Sequence, residues 1–189
     1  MHRREVVRFL GAAALAPLLA PLSAEERWSL GQRIHRRIST LGAGGQAGQV
    51  LSAEQMTQLR ALADTIIPAT DTPGAVQVQA PEFVDVLLAE WYPEAERRQI
   101  LAGLDALDSR CREANGKPFA ELDPTGRARF LEGVDGKRGE PGSAEDAYSK
   151  VKDGLVFGFL TSKPIAEMMR TTPIIPGRFD GCVPLRSPS

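Results

Sequence analysis

Histidine is scarce in this 189-residue chain: there are two, His2 and His35, and His2 stands at the extreme N-terminus. One remaining imidazole is too few for a metal site built from several histidines, and a Ser-His-Asp arrangement has little to draw on. Aromatic residues make up 6%, with two tyrosines, so ring platforms for stacking against sugars are sparse. No Gly-x-x-x-x-Gly-Lys-Ser/Thr phosphate loop occurs, and no Gly-x-Gly-x-x-Gly follows a strand; Gly42-Ala43-Gly44-Gly45 reads as a loop. The 23 Lys+Arg balance 24 Asp+Glu, which removes the basic footprint of a nucleic-acid binder. Carboxylates pair along the chain at Asp105/Asp108 and Glu145/Asp146, but among charged helical neighbours and without a nearby histidine. His35, flanked by Arg33, Arg36 and Arg37, reads as part of a solvated basic face.

What the chain does have is Arg3-Arg4-Glu5-Val6-Val7-Arg8-Phe9-Leu10-Gly11 ahead of the apolar stretch Ala12 to Leu22. Residues 1–24 therefore read as a twin-arginine export leader, with Arg3 and Arg4 as the signal for the twin-arginine translocase. Such leaders serve proteins exported already folded, so the chain is expected in the periplasm or beyond, carrying something acquired inside the cell. With no cofactor site in view, that load is expected to be another protein. The apolar run falls short of the ~20 residues needed to span a bilayer, and Pro17 and Pro21 interrupt it. Leu22-Ser23-Ala24 ends on a small residue, so cutting is expected after Ala24; an uncut leader would tether the chain to the membrane. The competing reading is a buried amphipathic helix with an incidental Arg pair.

The remainder reads as all-α, a single helical domain of about five to seven helices with an extended Pro/Gly-rich tail. Residues 25–50 comprise an amphipathic helix, Glu25 to Leu41, followed by the Gly-rich linker Gly42 to Gly48; the domain proper covers 51–189. Ser52 with Gln55 forms a capping box for a helix whose apolar positions Met56, Leu59, Leu62, Ala63, Ile66 and Ile67 keep the helical period, and Pro68 ends it. The turn-rich stretch Pro68 to Ala80 is either a functional loop or a plain connection, and Ala75 to Gln79 is the one candidate for a short edge strand. Pro81 opens a helix over Glu82 to Trp91, and Pro93 opens another that stops at Asn115-Gly116. Asp123-Pro124 caps the next, and Ser143 caps the last long helix, where Gly154 and Gly158 invite a close neighbouring backbone.

After Lys163-Pro164 the density of proline and glycine forbids a helix through the tail 173–189, yet Ile174, Ile175, Phe179 and Val183 are too apolar to be idle. Such a tail is expected to dock. Two cysteines in an oxidising compartment rarely stay free. Cys111 and Cys182 could bridge each other, closing a loop of about 70 residues for roughly 4 kcal/mol of stabilisation. Alternatively Cys111 is a buried free thiol on the apolar face of its helix and Cys182 reaches a partner.

Several pieces in order carry a family likeness: the leader, the Leu-x-Ala-Leu-Ala-Asp-x-Ile-Ile-Pro run at Leu59 to Pro68, Thr72-Pro73-Gly74-Ala75, Gly116-Lys117-Pro118-Phe119, Leu122, and the closing Pro176-Gly177-Arg178-Phe179-Asp180-Gly181-Cys182. From Leu51 onward the chain resembles the gluconate 2-dehydrogenase subunit 3 family. The Gly-rich linker after Leu41 and the polar insert Gly136 to Gly142 depart from it.

The resemblance implies a small, non-catalytic subunit of an exported dehydrogenase of sugars or sugar acids. The large partner in such complexes is a flavoprotein of the glucose-methanol-choline type that carries the FAD, often with a cytochrome c subunit. The small subunit helps it fold, load its flavin and leave the cell; this chain itself holds no cofactor or metal in that reading. The expected partner surface is Ile174, Ile175, Arg178, Phe179 and Val183 in the tail, with Trp91 and Tyr92 next, since Arg and large aromatics are favoured interface anchors. The rivals are a stand-alone exported helical ligand binder and a membrane-tethered structural protein.

Overall fold

The computed structural model describes residues 22–41, 50–137 and 139–170. Among them are seven α-helices and no strand: α1 (Ala24–Leu41), α2 (Ala53–Ile66), α3 (Ala80–Glu90), α4 (Glu94–Asn115), α5 (Pro124–Glu132), α6 (Ala144–Thr161) and α7 (Lys163–Arg170). A 3-10 turn, Phe119–Glu121, links α4 to α5. The all-α reading holds.

Local chemistry sets most boundaries. The capping box at Ser52 is complete: Gln55 N–H donates to Ser52 Oγ at 3.1 Å while Ser52 N–H donates to Gln55 Oε1 at 3.1 Å. Asp123 and Ser143 cap α5 and α6 by accepting from the N–H groups of Gly126 and Asp146. Gly116 ends α4 at φ 72°, the left-handed conformation that glycine adopts without a Cβ penalty. Ala75 to Gln79 forms turns rather than an edge strand, because Ala75 N–H donates to Ile67 carbonyl at 3.0 Å and Gln79 N–H to Val76 carbonyl at 3.1 Å. These bonds fold the connection back on the end of α2 and bury Ala75 and Val78.

Helix α6 is the hub, packing against α4 and α3 most extensively and also against α1 and α7. Its small residues make this feasible. A β-carbon on Gly154 would meet Val84 at 3.1 Å, and at the α4 crossing one on Gly103 would meet Ala147 at 2.5 Å. Phe83, Phe119, Leu59, Leu62, Ile100, Leu104, Leu107 and Leu155 are fully enclosed, each contributing about 1.5–3 kcal/mol by leaving water. Edge-to-face contact of Phe83 with Phe157, centroids 5.4 Å apart, adds to the α3–α6 seam.

One helix went beyond the sequence reading. Lys163-Pro164 begins α7, a helix not read from the sequence, with Ala166 N–H donating to Ser162 carbonyl at 2.9 Å. Proline in the first helical turn has no N–H to waste, and its fixed φ suits the helix.

Candidate partner interface

Helix α1 lies in the groove between α3 and α6, burying Leu30, Ile34 and Ile38. A polar latch fixes it there. Gln32 Nε2 donates to the Thr161 carbonyl at 2.9 Å, and His35 Nε2 lies 3.0 Å from the Gly158 carbonyl and 3.2 Å from Thr161 Oγ1. A carbonyl only accepts, so Nε2 carries the hydrogen of the neutral ring. The imidazole also packs on Phe83, centroids 4.9 Å apart. Burial lowers the His35 pKa below the ordinary histidine value, with the Gly158 bond offsetting part of the shift. His35 is thus half-buried and structural, not part of a solvated basic face. Helical geometry puts it beside Ile34 and one turn from Gly31 and Ile38, which Arg33, Arg36 and Arg37 obscured.

Asp85 sits inside the apolar run of α3, itself buried, and Oδ1 accepts from Val50 N–H at 3.1 Å and Leu51 N–H at 3.0 Å. It pins the backbone just ahead of α2 to α3. Sequence reading passed over Asp85. A charged residue within Phe83-Val84-Asp85-Val86-Leu87-Leu88 was the available signal, since a carboxylate survives burial only with donors.

The family-like segments among the described residues take structural roles. Leu59, Ala61, Leu62 and Ala63 are buried, and Asp64 pairs with Arg127 Nη1 at 3.8 Å, while Arg127 Nη2 donates to the Ala120 carbonyl at 2.6 Å. A β-carbon on Gly74 would stand 2.5 Å from the Ala69 nitrogen. Phe119, fully buried, donates its N–H to Asp108 Oδ1 at 2.8 Å and packs on Phe130. Lys150 bridges α4 and α6 through Glu96 at 3.2 Å and Asp146 at 3.0 Å. Its burial favours the neutral amine, but those two carboxylates prevail and raise its pKa.

The expected anchors fare differently. Tyr92 is buried, with burial and then the charges of Glu96, Asp153 and Asp146 pushing its hydroxyl pKa up. Trp91, at the end of α3, is half-buried against the core. Ile174, Ile175, Arg178, Phe179 and Val183, together with Arg3, Arg4 and Cys182, lie outside the described residues. Cys111 is fully buried on α4, its thiol pKa raised by burial, with Asn115 Nδ2 3.7 Å from the sulfur. The exposed large apolar residues among those described are Trp28 at 42%, Met168 at 42% and Met169 at 57%. The two methionines belong to α7, the strongly amphipathic helix from which the tail departs, and sequence reading did not anticipate them.

No group of three or more His, Cys, Asp or Glu side chains among the described residues is placed to hold a metal ion. No described helix is long and apolar enough to cross a membrane.

A helical body whose signature residues build its own core is the class of protein defined by this fold. The chain belongs to the gluconate 2-dehydrogenase subunit 3 family, whose model matches residues 53–177. That span takes in α2 through α7 and the first part of the tail. No match is found among curated proteins or solved structures.

Proposed function

We propose that the chain is the non-catalytic small subunit of an exported, FAD-dependent sugar or sugar-acid dehydrogenase, and that it helps the flavoprotein fold and carries it out of the cell. The family match over residues 53–177 carries this reading. The structure supports it in one respect: Asp64, Arg127, Asp108, Phe119 and Gly74, which belong to or bond with the family-like segments, are all engaged in holding the helices together. The chemistry then belongs to the companion, which brings the flavin and, in complexes with a third subunit, a cytochrome c.

The contact surface in this reading is the apolar tail Ile174, Ile175, Arg178, Phe179 and Val183, with Trp91 as the next candidate. Met168 and Met169, exposed on α7, join it as candidates, since methionine adapts its shape to a partner. Co-expression with the flavoprotein encoded alongside tests it: truncation before Pro173 should leave the helical circular dichroism intact and abolish co-purification. Retention of the flavoprotein by the truncated chain would remove the tail from the interface.

A further inference from the structure

The bond at which the leader would be cut lies within a folded turn. Ser23 N–H donates to Glu26 Oε2 at 2.7 Å, and Glu26 N–H donates to Ser23 Oγ at 3.2 Å, a reciprocal capping box that spans Ala24 and Glu25. Arg27 N–H closes the turn on the Ser23 carbonyl at 3.0 Å, and Arg27 Nε reaches the same oxygen at 3.4 Å. On one side Leu22 packs against the core. On the other, α1 is clamped to α3 and α6 by Leu30, Ile34 and the His35 latch. The segment is therefore held at both ends as well as capped.

A peptidase takes its substrate as an extended strand, so the residues around the scissile bond must leave any helical turn before they can be cut. In hydrolysis the C–N bond between Ala24 and Glu25 breaks. Water supplies hydroxyl to the Ala24 carbonyl carbon, and the Glu25 nitrogen keeps the bonding pair and takes up a proton. Where opening and closing are fast, the cutting rate follows the population of the open turn.

We propose that the Ala24–Glu25 bond is a cryptic processing site, protected by the capped and docked start of α1, so that the folded chain keeps its leader until that turn opens. The proposal rests on reading residues 1–24 as an export leader. It ties leader removal to the state of the α1 groove, because α3 and α6 must already be paired for α1 to dock.

The test is a time course of cleavage by a purified leader peptidase, read by intact mass, on the full-length chain and on a fusion of residues 1–28 to an unrelated folded reporter. The fusion keeps the residues flanking the bond and lacks the groove. The fusion should be cut at least ~10-fold faster than the full-length chain. Glu26→Ala in the full-length chain removes the acceptor of the Ser23 N–H while leaving the Glu26 N–H on Ser23 Oγ, and should speed cutting by roughly 2- to 12-fold, the range for one hydrogen bond, while Glu26→Gln, which preserves the box, should stay near the native rate. Equal rates for chain and fusion, or no response to Glu26→Ala, would overturn the proposal. Failure of the leader reading shows separately: the reporter would then stay in the cytoplasm, or leave it with Arg3 and Arg4 both changed to Lys.

Discussion

Gly158 lies against Phe83 so closely that a β-carbon on the glycine would stand 2.7 Å from the ring carbon Cγ. This contact sets the α3–α6 distance, and with it the width of the groove that receives α1. The same glycine offers its carbonyl to His35, so one residue serves packing and latch together. Gly158→Ala should therefore destabilise the fold by about 1–3 kcal/mol through overpacking, despite the better helix propensity of alanine. Chemical denaturation of the two proteins checks it. An unchanged or higher midpoint would mean that α3 moves away freely.

Asp85→Ala should leave the Val50 and Leu51 N–H groups without their acceptor, at a cost on the order of 1–3 kcal/mol. Hydrogen exchange at those two amides should accelerate more than exchange in α4. Uniform acceleration across the chain would show that Asp85 serves overall stability and not the local anchor.

The latch gives stability a definite pH sense. The folded-state pKa of His35 is depressed below the ordinary histidine value of 6.5, so the unfolded chain binds the proton more readily. The contribution is fully present above pH 6.5 and is lost as pH falls through the folded value. His35→Gln should flatten this part of the stability profile in denaturation curves taken from pH 7.5 to 5. A profile identical to the native one would remove His35 as its source.

Asp153 works in the opposite direction. Burial raises its pKa from 3.8 to about 6, with Lys152 opposing the shift. Stability from this group is present below pH 3.8 and is lost as pH rises through about 6. Asp153→Asn should thus stabilise the protein at pH 7, on the order of 1 kcal/mol once solvent screening of a half-exposed carboxyl is allowed for, and have little effect near pH 4. Equal effects at both pH values would contradict the assignment.

The parts of this fold that follow local rules were legible in the sequence. Ser52 with Gln55, Asp123 with Pro124, and Asn115-Gly116 each fix a helix end through groups a few residues apart, and each sits where the pattern put it. Gly154 and Gly158 announced a close approach, although only the structure shows that Phe83 and Val84 make it. What escaped depends on distant partners. Asp85 finds its donors at Val50 and Leu51, and His35 its acceptor at Gly158, over separations that no periodicity encodes. Helix α7 was missed for a different reason: Pro164 can start a helix as well as stop one, and the packing of Ile165 into the core decides between them.

The central claim is that this chain works by holding a redox partner. Native purification of the tagged, intact chain from the exported fraction, with absorption spectra and the masses of everything that accompanies it, tests this most directly. A stoichiometric larger polypeptide with a flavin spectrum, able to oxidise a sugar or sugar acid, is the predicted result. Recovery of the chain as a lone monomer, with no flavoprotein bound at native expression levels, would contradict it.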